Sequence, residues 1–307
     1  TVPTSTVPTS TVPGPTVPTS TVPTVTVVPA RAVLPGDGCA AFRPSEPDVH
    51  PRALFPGCRL VAYYGNFRAA ALGVLGQGTR DSMLRRLRDE IVAWQAADPA
   101  SGTLCGFELI VTVAQARPGA DGLYRARMDD AFIGDALSLA RQANCLLVLD
   151  VQVGRSTVAA ELPRLVRWLR EPDVHLALDP EWAMGPGQVP GRTIGSLDAR
   201  DVNFASALLD SIVVDGGLPP KLLAVHRFTT GMLTRPELLR TDPGVQLVIN
   251  MDGFGPPARK RSSYRTAQLG VTAPRMGIKL FYRNDDPRMS PADVLALEPR
   301  PVFVNYQ

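Results

Sequence analysis

The sequence predicts an α/β fold, a single (β/α)8 barrel of the TIM type preceded by a disordered Thr/Val/Pro-rich linker. Three observations predict it. Apolar runs alternate with stretches of helical spacing from Arg59 to the end, the runs number eight, and the span from Arg59 to Gln307 is close to the roughly 250 residues usual for this barrel.

Residues 1–30 are read first, because they differ from all that follows. A unit Thr-Val-Pro-Thr-Ser recurs, with a variant Thr-Val-Pro-Gly-Pro, and it fades at Val27 and Val28. Proline fixes φ and removes N–H donors, so this segment is expected to be an extended spacer without a core. Thr/Ser/Pro composition is also that of stalks that hold a domain off a wall or join it to a further module ahead of Thr1. Residues 31–58 are expected to lead in and pack on the barrel, and 59–307 to form it.

The eight runs are Leu60 to Gly65, Phe107 to Ala114, Cys145 to Val153, Val174 to Glu181, Lys221 to Phe228, Val245 to Asp252, Met276 to Tyr282 and Val302 to Tyr306. Runs as apolar as Leu146-Leu147-Val148-Leu149 suit parallel strands covered on both sides. Between them, sets such as Met83, Leu84, Leu87, Ile91 and Trp94, or Leu162, Leu165, Val166 and Leu169, recur at helical spacing. An open doubly wound sheet needs fewer strands and usually a Gly-rich first turn, whereas this one reads Tyr64-Gly65-Asn66-Phe67. No helix follows the last strand, so its outer cover is assigned to residues 31–58.

Composition narrows the function. With 32 Lys plus Arg against 29 Asp plus Glu, the net charge is +3 and the basic residues are scattered, which disfavours nucleic acid. No uninterrupted apolar run approaches the ~18 residues needed to span a bilayer. Four cysteines lack Cys-x-x-Cys spacing, which leaves zinc and redox motifs without support. If the chain is exported, Cys39 with Cys58 and Cys105 with Cys145 are the expected disulfides, the alternative being free thiols.

Chemistry in this fold sits where strands finish. The polar residues there include Tyr63 and Tyr64, Asp150 and Gln152, Asp179 and Glu181, His226, Asn250 and Asp252, Lys279 and Tyr282, and Asn305. Such a ring suits a polyhydroxylated ligand, which exchanges water for positioned donors and acceptors. In Leu178-Asp179-Pro180-Glu181-Trp182 the strand alternation sets both carboxylates on one face, where one raises the cost of ionising the other, and Trp182 is a stacking surface. Asp150 and Gln152 repeat that spacing, and Asp252 is followed by glycines. The alternatives are loop capping for the carboxylates and a structural role for His226. No Gly-x-Ser-x-Gly elbow or paired-histidine motif is present, so neither a metal nor a cofactor is expected.

The stretches Val61-Ala62-Tyr63-Tyr64-Gly65, Leu149-Asp150-Val151-Gln152-Val153-Gly154-Arg155, Leu176-Ala177-Leu178-Asp179-Pro180-Glu181-Trp182, Asp252-Gly253-Phe254-Gly255 and Val302-Phe303-Val304-Asn305-Tyr306-Gln307 resemble an uncharacterised family of secreted or wall-associated actinobacterial proteins. That resemblance implies export and one barrel domain, and no activity. The Asp-x-Glu is also similar to that of barrel-fold muramidases and chitinase-like glycosidases, which implies Glu181 as proton donor and Asp179 as its partner. The long Asp-x-x-Asp-x-Asp-x-Glu run of chitinases and the Gly-Ile-Asp opening strand of muramidases are absent.

The expectation is therefore a secreted glycoside hydrolase acting on a polysaccharide such as a cell-wall glycan. Glu181, Asp179, Asp150 and Asp252 are its catalytic carboxylates, and Tyr63, Tyr64, Gln152, Trp182, His226, Asn250, Lys279, Tyr282 and Asn305 bind substrate. The alternatives are a stalk-tethered glycan-binding surface protein without catalysis, and a carboxylate-held metal doing hydrolysis or lyase chemistry.

Overall fold

The computed structural model describes residues 50–307 apart from 241 and 273–274. The proposed linker, most of the lead-in segment and Cys39, with its expected bond to Cys58, therefore lie outside the described residues. Among those described, eight parallel strands close a barrel: β1 (Cys58–Gly65), β2 (Gly102–Ala114), β3 (Cys145–Val151), β4 (Val174–Leu178), β5 (Lys221–His226), β6 (Val245–Met251), β7 (Arg275–Leu280) and β8 (Phe303–Tyr306). Each pairs with the next in sequence, and β8 returns to β1, with Leu60 opposite Phe303. All eight runs read from the sequence form these strands.

The helices depart more from a regular alternation. α1 (Arg80–Ala97) starts at Thr79, whose hydroxyl accepts from the Ser82 N–H, and buries Met83, Leu87 and Trp94 against the barrel. α2 (Asp130–Gln142) follows β2, and α5 (Ala199–Gly216) follows β4 and opens with an Asp198/Asp201 capping box. Between β3 and β4 the helix expected around Leu162 is split into α3 (Val158–Glu161) and α4 (Val166–Leu169) by a 3-10 turn holding Pro163. α6 (Pro257–Gln268) follows β6, and the short α7 (Pro291–Leu295) precedes β8. Among the described residues the connection from β5 to β6 holds no α-helix; it has 3-10 turns, one starting at Pro236, and a two-residue strand, Leu233–Thr234, that pairs in parallel with Leu197–Asp198.

Strand alternation splits the interior from the outer layer. Leu60 and Ala62 of β1 face inward with Leu146, Val148, Ala177, Leu222, Ala224, Val248 and Phe303, a dry plug that fills the lower half of the barrel. Leu54 and Phe55 close it from below, held by Gln246, whose side-chain oxygen accepts from both backbone N–H groups. Burying two such side chains contributes about 1.5–3 kcal/mol each. The described part of the lead-in segment is thus a bottom cap rather than a cover for β8. That cover comes from α1, whose Trp94 indole N–H donates to the Tyr306 hydroxyl.

A disulfide joins Cys105 of β2 to Cys145 of β3, which face each other in register with Cα atoms 4.4 Å apart. Farther along β2, Ile110 pairs with Asp150 and Thr112 with Val151, so Val111 is an extra residue, a β-bulge. Below it Glu108 and Ile110 face inward; above it Val113 does.

Candidate active site

Above the dry plug the same inward-facing positions turn polar. Glu108 on β2, wholly buried, accepts from His226 Nε2 (2.9 Å) and from the Asn305 amide. His226 Nδ1 meets Asp252 Oδ2 at 3.0 Å, so one imidazole bridges two carboxylates. Asn250 donates to Asn305 at 3.2 Å. The Lys279 ammonium lies 3.7 Å from Asp252 Oδ2 and 3.7 Å from the centre of the Tyr64 ring. The Tyr64 hydroxyl donates to Asp150 Oδ2 and accepts from Gln152 Nε2, both at 3.1 Å, and Gln152 reaches Asp179 Oδ2 at 3.5 Å.

On this floor stands a cavity of about 350 Å³. Its carboxylates are Asp179, Glu181 and Asp252, and Tyr64, Trp182, Phe228, Phe254 and Phe281 supply aromatic walls. Arg259 sits beside Phe254, its guanidinium 5.8 Å from the ring centre. An adjoining cavity of about 290 Å³ shares Phe254 and Phe281 and continues past Tyr282, Arg283 and Asn284.

The Asp179/Glu181 pair is built differently from the sequence expectation. β4 ends at Leu178, and Pro180–Trp182 form a 3-10 turn, so the two carboxylates do not share a face by strand alternation. Proline at the first helical position starts that turn, and both carboxylates still line the one cavity. The turn is pinned from behind where Gly195 donates to the Glu181 carbonyl at 2.7 Å. A Cβ at Gly195 would meet the Pro180 and Ala183 carbonyl oxygens at 2.6 and 2.4 Å, so only glycine permits the approach.

Burial and crowding sort the ionisable groups. Burial, reinforced by the Asp252 charge, pushes Glu181 up to about 7 against the pull of Lys279 and His226. Asp150 also reaches about 7, chiefly through burial, with the Glu108 charge adding to it and His226 opposing. Asp179 is raised well above the ordinary range, by burial and by the neighbouring Asp150 and Asp252. Asp252 goes the other way: burial raises it, but the His226 hydrogen bond and the Lys279 charge outweigh that and leave it below the ordinary value. His226 and Lys279, both disfavoured as cations by burial, are held protonated by the carboxylates around them.

Of the residues expected to act, Asp179, Glu181, Asp252, Tyr64, Gln152, Trp182 and Lys279 line the cavity. Asp150, His226, Asn250 and Asn305 form its buried floor. Tyr63 does not join them. It faces outward, packs edge-on to Tyr306 and shares a 2.8 Å hydrogen bond with the Tyr282 hydroxyl, while Tyr282 lines the adjoining cavity. Glu108 was missed, although a single carboxylate inside the apolar run Phe107-Glu108-Leu109-Ile110 was a readable signal. The walls Phe254 and Phe281 were missed as well.

No protein-family model matches the chain, and no curated protein does. Among solved structures it is similar to a broad-specificity endoglucanase of GH5-4 from Clostridum cellulovorans (10% identity, TM-score 0.45, covering 81% of this chain and 84% of that one). A hyperthermophilic endo-beta-1,4-glucanase matches at 8% identity and TM-score 0.38 over 80% of this chain and 88% of that one. The dihydropteroate synthase of Burkholderia cenocepacia matches at 16% identity and TM-score 0.33 over 81% and 85%. The three are named for two unrelated chemistries, and the site is read from its own geometry.

Proposed function

We propose that the protein is a glycoside hydrolase that cleaves a polysaccharide, such as a cell-wall glycan, at the C-terminal mouth of the barrel. The observation that carries this reading is that Glu181 and Asp252 line one aromatic-walled cavity with their proton affinities driven apart. Two carboxyl groups so separated are the requirement for glycosidic cleavage, one as an acid and one as an anion.

In the proposed step Glu181, still protonated near neutral pH, gives its proton to the glycosidic oxygen as the bond to the anomeric carbon breaks. Asp252, kept ionised by His226 and Lys279, faces the positive charge that develops on the sugar. Water then delivers hydroxide to the anomeric carbon, and its remaining proton restores the acid. Trp182, Phe228, Phe254 and Phe281 offer faces for sugar rings, and Gln152 offers hydrogen bonds to hydroxyls. Export to the cell surface or wall is part of the proposal, supported by the Cys105–Cys145 disulfide, which suits an oxidising compartment.

The test is product release from a panel of wall and plant polysaccharides by wild type and Glu181→Gln. Loss of release by roughly 100- to 10,000-fold, with an unchanged circular dichroism spectrum, is the expected result. Equal release by the two proteins would remove Glu181 from the mechanism.

A further inference from the structure

Buried carboxylates elsewhere in the molecule are paired. Glu161 takes both Arg125 (2.8 Å) and Arg127 (2.7 Å). Asp285 takes Lys260 at 2.9 Å and the backbone N–H groups of Gly255 and Phe281. At the candidate site the pattern breaks. Among the described residues the buried carboxylate oxygens without a hydrogen-bond partner are Asp150 Oδ1, Asp179 Oδ1 and Asp252 Oδ1. Asp179 and Asp252 are 2% and 7% exposed, and both line the cavity.

Acidic side chains also outnumber basic ones there, and the raised proton affinities of Asp150, Asp179 and Glu181 are the sign of that crowding. Glu108, Asp150, Asp179, Glu181 and Asp252 surround two basic groups, Lys279 and His226. Buried carboxyl groups in such excess keep protons, and a bound cation can take the place of those protons. Arg259 lines the cavity but is an exposed residue beside Phe254, and among the described residues no ion pair joins it to these carboxylates.

The surroundings say which kind of cation fits. Two clusters hold three ligand atoms within 4.8 Å of one another, Glu108/Asp150/His226 and Asp179/His226/Asp252, and both need His226. Both of its ring nitrogens are already engaged, one by Glu108 and one by Asp252, which leaves no lone pair for a metal ion. The aromatic walls, in contrast, favour an organic ammonium, which gains from ring faces as well as from carboxylates. We infer that the cavity takes a sugar bearing a free, protonated amine, an unacetylated amino sugar within a glycan, with its ammonium held by Asp179 and Asp252. The inference rests on the glycan reading above and narrows its substrate class.

The experiment is calorimetric titration of the wild-type protein with three tetrasaccharides: β-1,4-linked glucosamine, its fully N-acetylated form and cellotetraose. The glucosamine tetramer is expected to bind at least tenfold more tightly than either of the others. Asp179→Asn is expected to remove most of that preference, and Asp252→Asn provides the same reading if the first variant does not fold. Equal or tighter binding of an uncharged tetramer overturns the amine assignment and leaves the glycan reading standing. Binding of none of the three overturns both. Loss of glucosamine binding after EDTA treatment, restored by a divalent metal, would assign the carboxylates to a metal ion and overturn the inference.

Discussion

The lower and upper halves of the barrel interior are made by the same strands under the same alternation, yet they hold opposite contents. Below, Leu60, Leu146, Leu222, Val248 and Phe303 interlock without a polar side chain among them. Above, two strand positions farther along β5 and β6, Leu222 and Ala224 give way to His226, and Val248 to Asn250 and Asp252. The lower half supplies mainly apolar burial, with one buried titratable group, His175, which accepts from the Leu222 N–H and is kept neutral by burial. The upper half confines ionisable groups at a spacing that sets their protonation against one another. Apolar burial is thus concentrated at one end and ionisable groups at the other, the arrangement expected if the upper half trades stability for the proposed activity.

That division can be tested from both ends. Phe303→Ala, which empties part of the plug, is expected to cost about 3–5 kcal/mol by urea denaturation, with no change in the pH profile of hydrolysis. A shifted profile would mean that the two halves are not independent.

The upper half makes the converse prediction. A carboxyl whose native proton affinity is raised binds more protons folded than unfolded. Its contribution is complete below the ordinary carboxylate range and is lost as pH climbs through the native value. For Asp150 that window runs up to about 7, and its loss is of order 4 kcal/mol as an upper bound. Glu181 acts in the same direction, and so does His226 above its ordinary value, because its affinity is also raised. Thermal stability is expected to fall between pH 5 and pH 8, and Asp150→Asn to flatten that fall. Equal slopes for the two proteins in a melting series would contradict it.

The proposed hydrolysis has its own pH signature. It is expected to decline as pH rises past about 7, where Glu181 loses its proton, and to persist at low pH until Asp252, held below the ordinary carboxylate value, is protonated. The acidic limb therefore lies below the usual carboxylate range. The smallest effect belongs to Trp182→Ala. It is expected to raise KM about tenfold on an oligosaccharide while changing stability by less than ~1 kcal/mol, since Trp182 is only partly buried at the cavity wall.

The same contrast explains what could be read from the sequence. The strands were legible because each is a nearly unbroken apolar run, and Asp150, Asp179, Glu181 and Asp252 were legible because they interrupt such runs at their ends. Glu108 was harder, since it interrupts a run in its middle and its partner His226 is 118 residues away. Tyr63 and Tyr64 are adjacent on a strand that is apolar on both faces, so residue type alone does not tell the outward side chain from the inward one. The turn at Pro180–Trp182 replaced an expected strand residue pair because Asp179 already leaves extended geometry, with ψ at 89°. The missing helix between β5 and β6 reflects Gly231, Pro236 and Pro243, three breakers in one connection.

The extra residue at Val111 acts as a clutch in β2. It lets the lower part of the strand keep Glu108 inside while the upper part presents Val113 to the mouth, so the chain leaving the rim is out of phase with the chain that entered below. Residue count there matters more than residue identity. Replacing Val111 with another apolar side chain is expected to leave both halves engaged, whereas deleting it is expected to rotate Thr112 to Ala114 by one position, together with the antiparallel Arg125–Arg127 strand paired to them. A loop transplanted onto this rim must therefore be cut above the clutch, and in a library of variants a change of length at this point is the costlier error.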